Sequence, residues 1–381
     1  MAEAVAAKGH EVTIFSPNRS ARGSWKPGQG KEGTVTAGLK PDIEAGVRIE
    51  RFAVRWPTQF GYAPDLAAAL RNRIGDFDVV HLHALYLYPT LAAGRICFAA
   101  GIPYMVEPHG SLDPWHRRHH PLRKQIYSRL FEHSVLDRSS AIHYVTAEEM
   151  RLASAAGIRA PGLVIPHGVD VEQYTHLPAP GAFRARHHLA SNRIVLFLGR
   201  ITPKKGLDLL VQAFDLIHQV EPDARLVIAG PDDEGYGPTV RNDIASRHIE
   251  QFVTFAGMVE GQEKLELLAD ADVWVLPSYA ENFGLAALEA MCSGLPTVLS
   301  DKVNIHKEFA QAGAILVVSC DAVSVSTAIL RVLREPGLAA TLRERGQALA
   351  ATYTWNRTAD LLIEAYTRMA TGRAITTEAI S

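Results

Sequence analysis

Two glutamates eight positions apart, Glu281 and Glu289, sit in the stretch at 277–298, PSYAENFGLAALEAMCSGLPTV. An apolar strand at 273–276 leads in, and a helix over 283–292 is predicted to follow. With Leu285 as the zero of a 100° wheel, Leu288 and Cys292 fall within about 60°, and Glu289 lies roughly 40° off the same stripe. Ala286, Ala287, Ala290 and Met291 take the other faces, so the helix is expected to be buried all round, with Glu289 as its one charge. A buried carboxylate needs either a protein cation or ligand hydroxyls. A rise of about 1.5 Å per residue separates the two acids by roughly 10 Å, on either side of a helix N-terminus, which favours anions. That pattern suits a sugar at one acid, a diphosphate at the helix end and a ribose at the other acid. The plainer alternative pairs Glu289 with an internal Arg or Lys and leaves Glu281 as a solvated loop acid.

The counter-charge stands upstream. An apolar strand at 193–198 runs into Gly199-Arg200-Ile201-Thr202-Pro203-Lys204-Lys205-Gly206, and a helix over 207–219 follows. Arg200 can grip two phosphate oxygens at once and Lys205 adds a point charge. The spacing is not that of a Walker A loop. A further candidate is His109, in Pro108-His109-Gly110 at the end of a strand over 103–107. Ligands of parallel sheets gather at such strand ends, and Gly110 lets backbone approach them. A histidine tied into a turn is the structural alternative. The basic run of His116, Arg117, Arg118, His119, His120, Arg123 and Lys124 suits either anionic headgroups or a solvated start to a helix over 126–136. The G-x-G-x-x-G at 28–33 lacks the strand before it and the helix after it, and is set aside.

These residues need an α/β scaffold, and the chain supplies one. Helices at 64–74 and 87–100 alternate with strands at 79–83, 103–107, 141–145 and 163–166, the mark of a parallel sheet covered by helices. With 381 residues, 47% hydrophobic and 21% charged, there is room for two domains. The Pro-rich segment at 177–181 reads as a linker. It gives domains at 1–178 and 179–354, with a helix from 355 crossing back to complete the first over 355–381. A net charge of -2 argues against a nucleic-acid partner. Three cysteines without ligand spacing, Cys97, Cys292 and Cys320, fit a reduced, cytoplasmic protein. The sequence opens on a helix closed by Gly9, without the strand and glycine-rich turn that should precede it. A start codon assigned too late, or a cut protein, accounts for this, and the sheet is expected to show a gap.

Taken together, Gly199-Arg200 with Lys205-Gly206, Glu281-Asn282-Phe283-Gly284 with Glu289 and Gly294-Leu295-Pro296, Pro108-His109-Gly110 and Ile165-Pro166-His167-Gly168-Val169-Asp170 resemble the retaining glycosyltransferases of family 4. The resemblance spans nearly the whole chain. It implies the GT-B architecture, two facing Rossmann-like doubly wound domains with an interdomain cleft. It implies that Arg200 and Lys205 neutralise the leaving nucleoside diphosphate in place of a metal, and that Glu281 holds sugar hydroxyls while Glu289 binds the ribose. Backbone at Asn282, Phe283, Gly284 and Leu285, together with Gly257 and Gly110, would touch substrate, and His109 would support charge near the anomeric carbon. His167 stands where the family has asparagine. The expected activity is transfer from a UDP- or GDP-sugar, with no cofactor and no metal, to a glycan or lipid-linked acceptor in bacterial cell-surface or exopolysaccharide synthesis. The expected location is cytoplasmic, peripheral at the inner membrane face. The alternatives are an impaired nucleotide-sugar-binding protein that lacks the first strand, or an epimerase or sugar-phosphate synthase of the same architecture.

Overall fold

Short β-branched runs that bury on both faces, each followed by a helix with one apolar side, stack into parallel sheets covered by helices. The computed structural model of the protein describes residues 1–18, 42–112, 133–155, 157–189 and 193–375. They form two compact units, Met1–Pro166 with Trp355–Ser381, and His167–Thr354. The division falls ahead of the proline-rich segment at 177–181, earlier than the expected boundary at 178. The reason is local. Val169 N–H donates to the Tyr353 carbonyl at 2.8 Å, and the buried Tyr174 hydroxyl lies 3.0 Å from Lys264 Nζ, so the residues after His167 are tied into the second unit.

The first unit holds strands β1 (Val12–Asn18), β2 (Asp42–Glu44), β3 (Val47–Ala53), β4 (Val80–His83), β5 (Tyr104–Glu107), β6 (Ala141–Tyr144) and β7 (Gly162–Val164). They pair as two sheets, β1-β3-β2 and the all-parallel β4-β5-β6-β7. Among the described residues no strand joins them. The helix Pro64–Arg73 opens on a proline whose fixed φ suits the first turn, and buries Leu66, Ala67 and Leu70. The helix Trp355–Ala370 lays Leu362, Ala365 and Met369 against Met105, Leu163 and Ile165, which closes the other face of the sheet.

The second unit carries β8 (Arg193–Leu198), β9 (Ala224–Ala229), β10 (Val253–Gly257), β11 (Val273–Leu276), β12 (Thr297–Ser300) and β13 (Ile315–Val318), all parallel, in the order β10-β9-β8-β11-β12-β13. Every residue of β11 and β12 is buried. The chain winds outward from β8 to β10 and then returns to place β11 beside β8. That reversal is a topological switch point, and parallel sheets bind ligands beyond the carboxyl ends of the strands at such a point. The loops leaving β8 and β11 are those that carry Arg200, Lys205 and Glu281. No described helix is long and apolar enough to cross a membrane.

Candidate active site

Two glycines bring the loops of the second unit together. Gly206, at φ 70°, has its Cα so close to the Pro277 carbonyl that a Cβ would lie 2.1 Å from that oxygen. Gly230, at φ 139°, would likewise place a Cβ 1.9 Å from the Gly199 carbonyl. The Tyr279 amide then donates to the Lys204 carbonyl at 2.8 Å, and the Tyr279 hydroxyl donates to Asp208 at 2.7 Å. The loops after β8 and β11 are thereby fastened at backbone level. Lys205 Nζ donates to Glu281 Oε2, and both side chains are 13% exposed. Burial pushes the Glu281 carboxyl up, but Lys205 and Lys204 outweigh it and hold the group below its ordinary range. Arg200 is half-exposed, with Glu234 only a loose partner at 3.9 Å.

Gly284, at φ 79°, caps the helix Leu285–Cys292, which starts two residues later than the predicted 283 because the left-handed glycine cannot continue a helical run backward. The first N–H groups of any helix have no acceptor within it, so the turn at Leu285 and Ala286 presents donors beside the Lys205–Glu281 pair. The helix is not buried all round, since Leu285 is 39% exposed. The two acids also exchange their expected environments. Glu289 is 25% exposed and its Oε1 accepts from Lys264 Nζ at 3.0 Å. Glu281, the acid that the plainer reading left solvated, is the more deeply enclosed. The internal ion pair offered as the alternative for Glu289 therefore exists, and it leaves part of the carboxylate open. Phe283 turns its ring inward, 5% exposed and edge-on to His167 at 5.5 Å, so its side chain is core and only its backbone can serve a ligand. Asn282 Oδ1 accepts from Asn304 at 3.3 Å. Gly257, at φ 71° at the end of β10, has open space where a Cβ would stand.

In the first unit His109 sits at φ 52°, a left-handed conformation uncommon for a residue with a Cβ, and is followed by Gly110 at φ 72°. The Gly110 amide donates to the buried Glu149 at 2.8 Å. His109 Nδ1 lies 3.1 Å from Glu107 Oε1, and its Nε2 lies 3.1 Å from His83 Nδ1. The histidine is thus both tied into a turn and 40% exposed at a strand end, so the two readings of it coexist.

Sequence reasoning missed Lys264, Tyr174, Tyr279 and Asp208, and in the first unit Glu107, Glu149, His81, His83 and His143. A His-x-His pair on β4 was the available signal, since residues two apart on a strand share a face. The basic run at 116–124 and the glycines at 28–33 lie outside the described residues.

Residues 182–349 match the family described as glycosyl transferases group 1, and residues 1–168 match the glycosyl transferase 4-like domain. The chain is 28% identical over 347 residues to a GDP-mannose:cellobiosyl-diphosphopolyprenol alpha-mannosyltransferase of Xanthomonas campestris, covering 89% of this chain and 85% of that protein. It is 30% identical over 323 residues to a D-inositol 3-phosphate glycosyltransferase of Stackebrandtia nassauensis, covering 81% and 70%. A solved sucrose-phosphate synthase of Thermosynechococcus elongatus superposes with a TM-score of 0.76 at 21% identity, over 97% of this chain and 92% of that one. The fold is accordingly GT-B, with two Rossmann-like domains. The chain belongs to the group 1, family 4 glycosyltransferases and is a glycosyltransferase.

Proposed function

We propose that the second unit holds a UDP- or GDP-linked sugar and that the enzyme transfers this sugar, with retention, to a lipid-linked or glycan acceptor in the synthesis of a bacterial surface polysaccharide. The observation that carries the reading is the enclosed Lys205–Glu281 pair beside the N-terminal turn of Leu285–Cys292. A nucleoside diphosphate brings two or more negative charges to that turn, where helix donors, Lys205 and the exposed Arg200 meet them. This cationic set would take the part a metal plays elsewhere, so transfer is expected to proceed without one. Glu281 retains acceptor positions beyond the one that Lys205 uses, because a carboxylate has about four, and these suit sugar hydroxyls. Glu289, paired with Lys264 yet partly open, suits the ribose hydroxyls. His109 would support charge developing at the anomeric carbon.

The nature of the acceptor rests on similarity. The Xanthomonas campestris relative is named for an acceptor carried on diphosphopolyprenol. Such an acceptor would place the enzyme at the inner membrane face. Kinetics on two variants test the division of roles. Glu289→Ala should raise KM for the donor about tenfold with kcat within about threefold, the mark of lost ground-state binding. Lys205→Ala should lower kcat by about 100-fold or more, as removing charge stabilisation at a leaving group does. Equal effects of both variants on KM and kcat would refute the assignment.

A further inference from the structure

The parallel pairing of β4 with β5 sets His83 opposite Glu107, and the two-residue period of a strand puts His81 on the same face as His83. The result is a carboxylate with no solvent exposure among imidazoles. Glu107 Oε2 lies 3.1 Å from His83 Nδ1 and 3.4 Å from His143 Nδ1, and Oε1 lies 3.1 Å from His109 Nδ1. The imidazole rings are close as well, with centroids at 4.3 Å for His81 and His83, and 5.3 Å for His81 and His143.

His81 makes the arrangement look built for a cation. Its Nδ1 lies 2.7 Å from the Tyr366 hydroxyl, contributed by the helix Trp355–Ala370 of the same unit. Its Nε2 is buried without a hydrogen-bond partner among the described residues. In the tautomer whose Nδ1–H is donated to the Tyr366 oxygen, Nε2 is bare and the ring has the orientation of a metal ligand held by an outer partner. One donor atom from each of His81, His83 and Glu107 lies within 4.8 Å of the others. Two ligands at about 2.1 Å from a tetrahedral ion stand about 3.4 Å apart, so the 3.1 Å between His83 and Glu107 is close to what a shared ion requires.

We propose that His81, His83 and Glu107 form a site for a divalent cation of intermediate softness, with zinc as the natural probe, and that Tyr366 positions His81 in it. Two imidazoles and one carboxylate suit zinc and leave a coordination position open, whereas magnesium and calcium prefer sets made of oxygen. The site lies in the first unit and adjoins His109, and the transfer proposed above calls for no metal. An ion there would draw His83 and Glu107 away from their contacts with His109.

Equilibrium dialysis of the full chain, first stripped with a chelator and then exposed to zinc chloride, tests the site. One zinc per chain is expected, bound at least tenfold more weakly by His81→Ala and about 10–100-fold more weakly by Tyr366→Phe, the usual cost of losing an outer partner. His248→Ala, in the second unit, should bind as the parent does. If His81→Ala fails to fold, Tyr366→Phe, which keeps the ring and removes only the hydroxyl, decides the question. Zinc bound at less than half an equivalent, or with the same affinity by the parent, His81→Ala and Tyr366→Phe, would overturn the proposal and leave the cluster as imidazoles balancing a buried carboxylate.

Discussion

At the scale of residues, the enclosed Lys205–Glu281 pair governs both stability and charge at the site. Stranding a buried charge by removing its partner costs roughly 3–5 kcal/mol, and the 13% exposure of these side chains argues for the lower end. Lys205→Met should therefore unfold about 3 kcal/mol more easily in urea, while Glu281→Gln with Lys205 retained should lose less. The pH dependence has a definite sign. The folded Glu281 carboxyl titrates below its ordinary value of 4.5, so its contribution is complete above that pH and fades as the pH falls through the folded value. The stability difference between the parent protein and Glu281→Gln should accordingly be constant from pH 6 to 8 and shrink below about 4.5, as read from denaturation midpoints. A difference that grows on acidification would contradict the pairing. Part of this was legible beforehand. Arg200, Lys205 and the two acids stand out by residue type and by their place after apolar strands. Lys264 did not stand out, because a cation that pairs across 25 positions of chain has no local signature, and Glu107 was one acid at one strand end until register set histidines around it.

At the scale of elements, what fixes the site is close backbone approach. Gly206 and Gly257 share nearly the same φ, 70° and 71°, but differ in space, since a Cβ at Gly206 meets the Pro277 carbonyl at 2.1 Å and one at Gly257 meets nothing within 4 Å. The comparison separates strain from collision. Gly257→Ala should cost only the left-handed penalty of about 1–2 kcal/mol. Gly206→Ala should cost well beyond that, because backbone has to move and the loops after β8 and β11 come apart. Thermal unfolding of the two variants side by side checks it, and equal losses would mean that the Gly206–Pro277 contact is not tight. The strands themselves could be read from the sequence because each is a continuous apolar run between turn residues, as with Arg193–Leu198 and Val273–Leu276. Helix starts were less legible where a glycine in a left-handed conformation replaces a side-chain cap, as Gly284 does. The order of the strands, and so the switch point between β8 and β11, depends on pairings between distant segments that no local pattern records.

At the scale of the whole molecule, the chain builds its first unit from both ends, with Trp355–Ala370 completing the core of Met1–Pro166. Leu362 is fully buried against Met105, Leu163 and Ile165, so Leu362→Ala should destabilise that unit by about 2–5 kcal/mol. Hydrogen exchange should show faster exchange at β5 and β7 with β8 and β11 unchanged, and uniform acceleration in both units would contradict the division. Placing the boundary at His167 required seeing Val169 bonded to Tyr353, whereas the prolines at 177–181 had suggested a later one. The central claim, that this glycosyltransferase draws on a nucleotide sugar held by the second unit, is met most directly by one assay. GDP- and UDP-linked sugars are each incubated with the enzyme and a diphosphopolyprenol-linked disaccharide, in the presence of a chelator, and nucleoside diphosphate release is measured. Release from at least one donor is expected, reduced about 100-fold by Lys205→Ala. Release from none of the donors, or release that Lys205→Ala leaves unchanged, would contradict it.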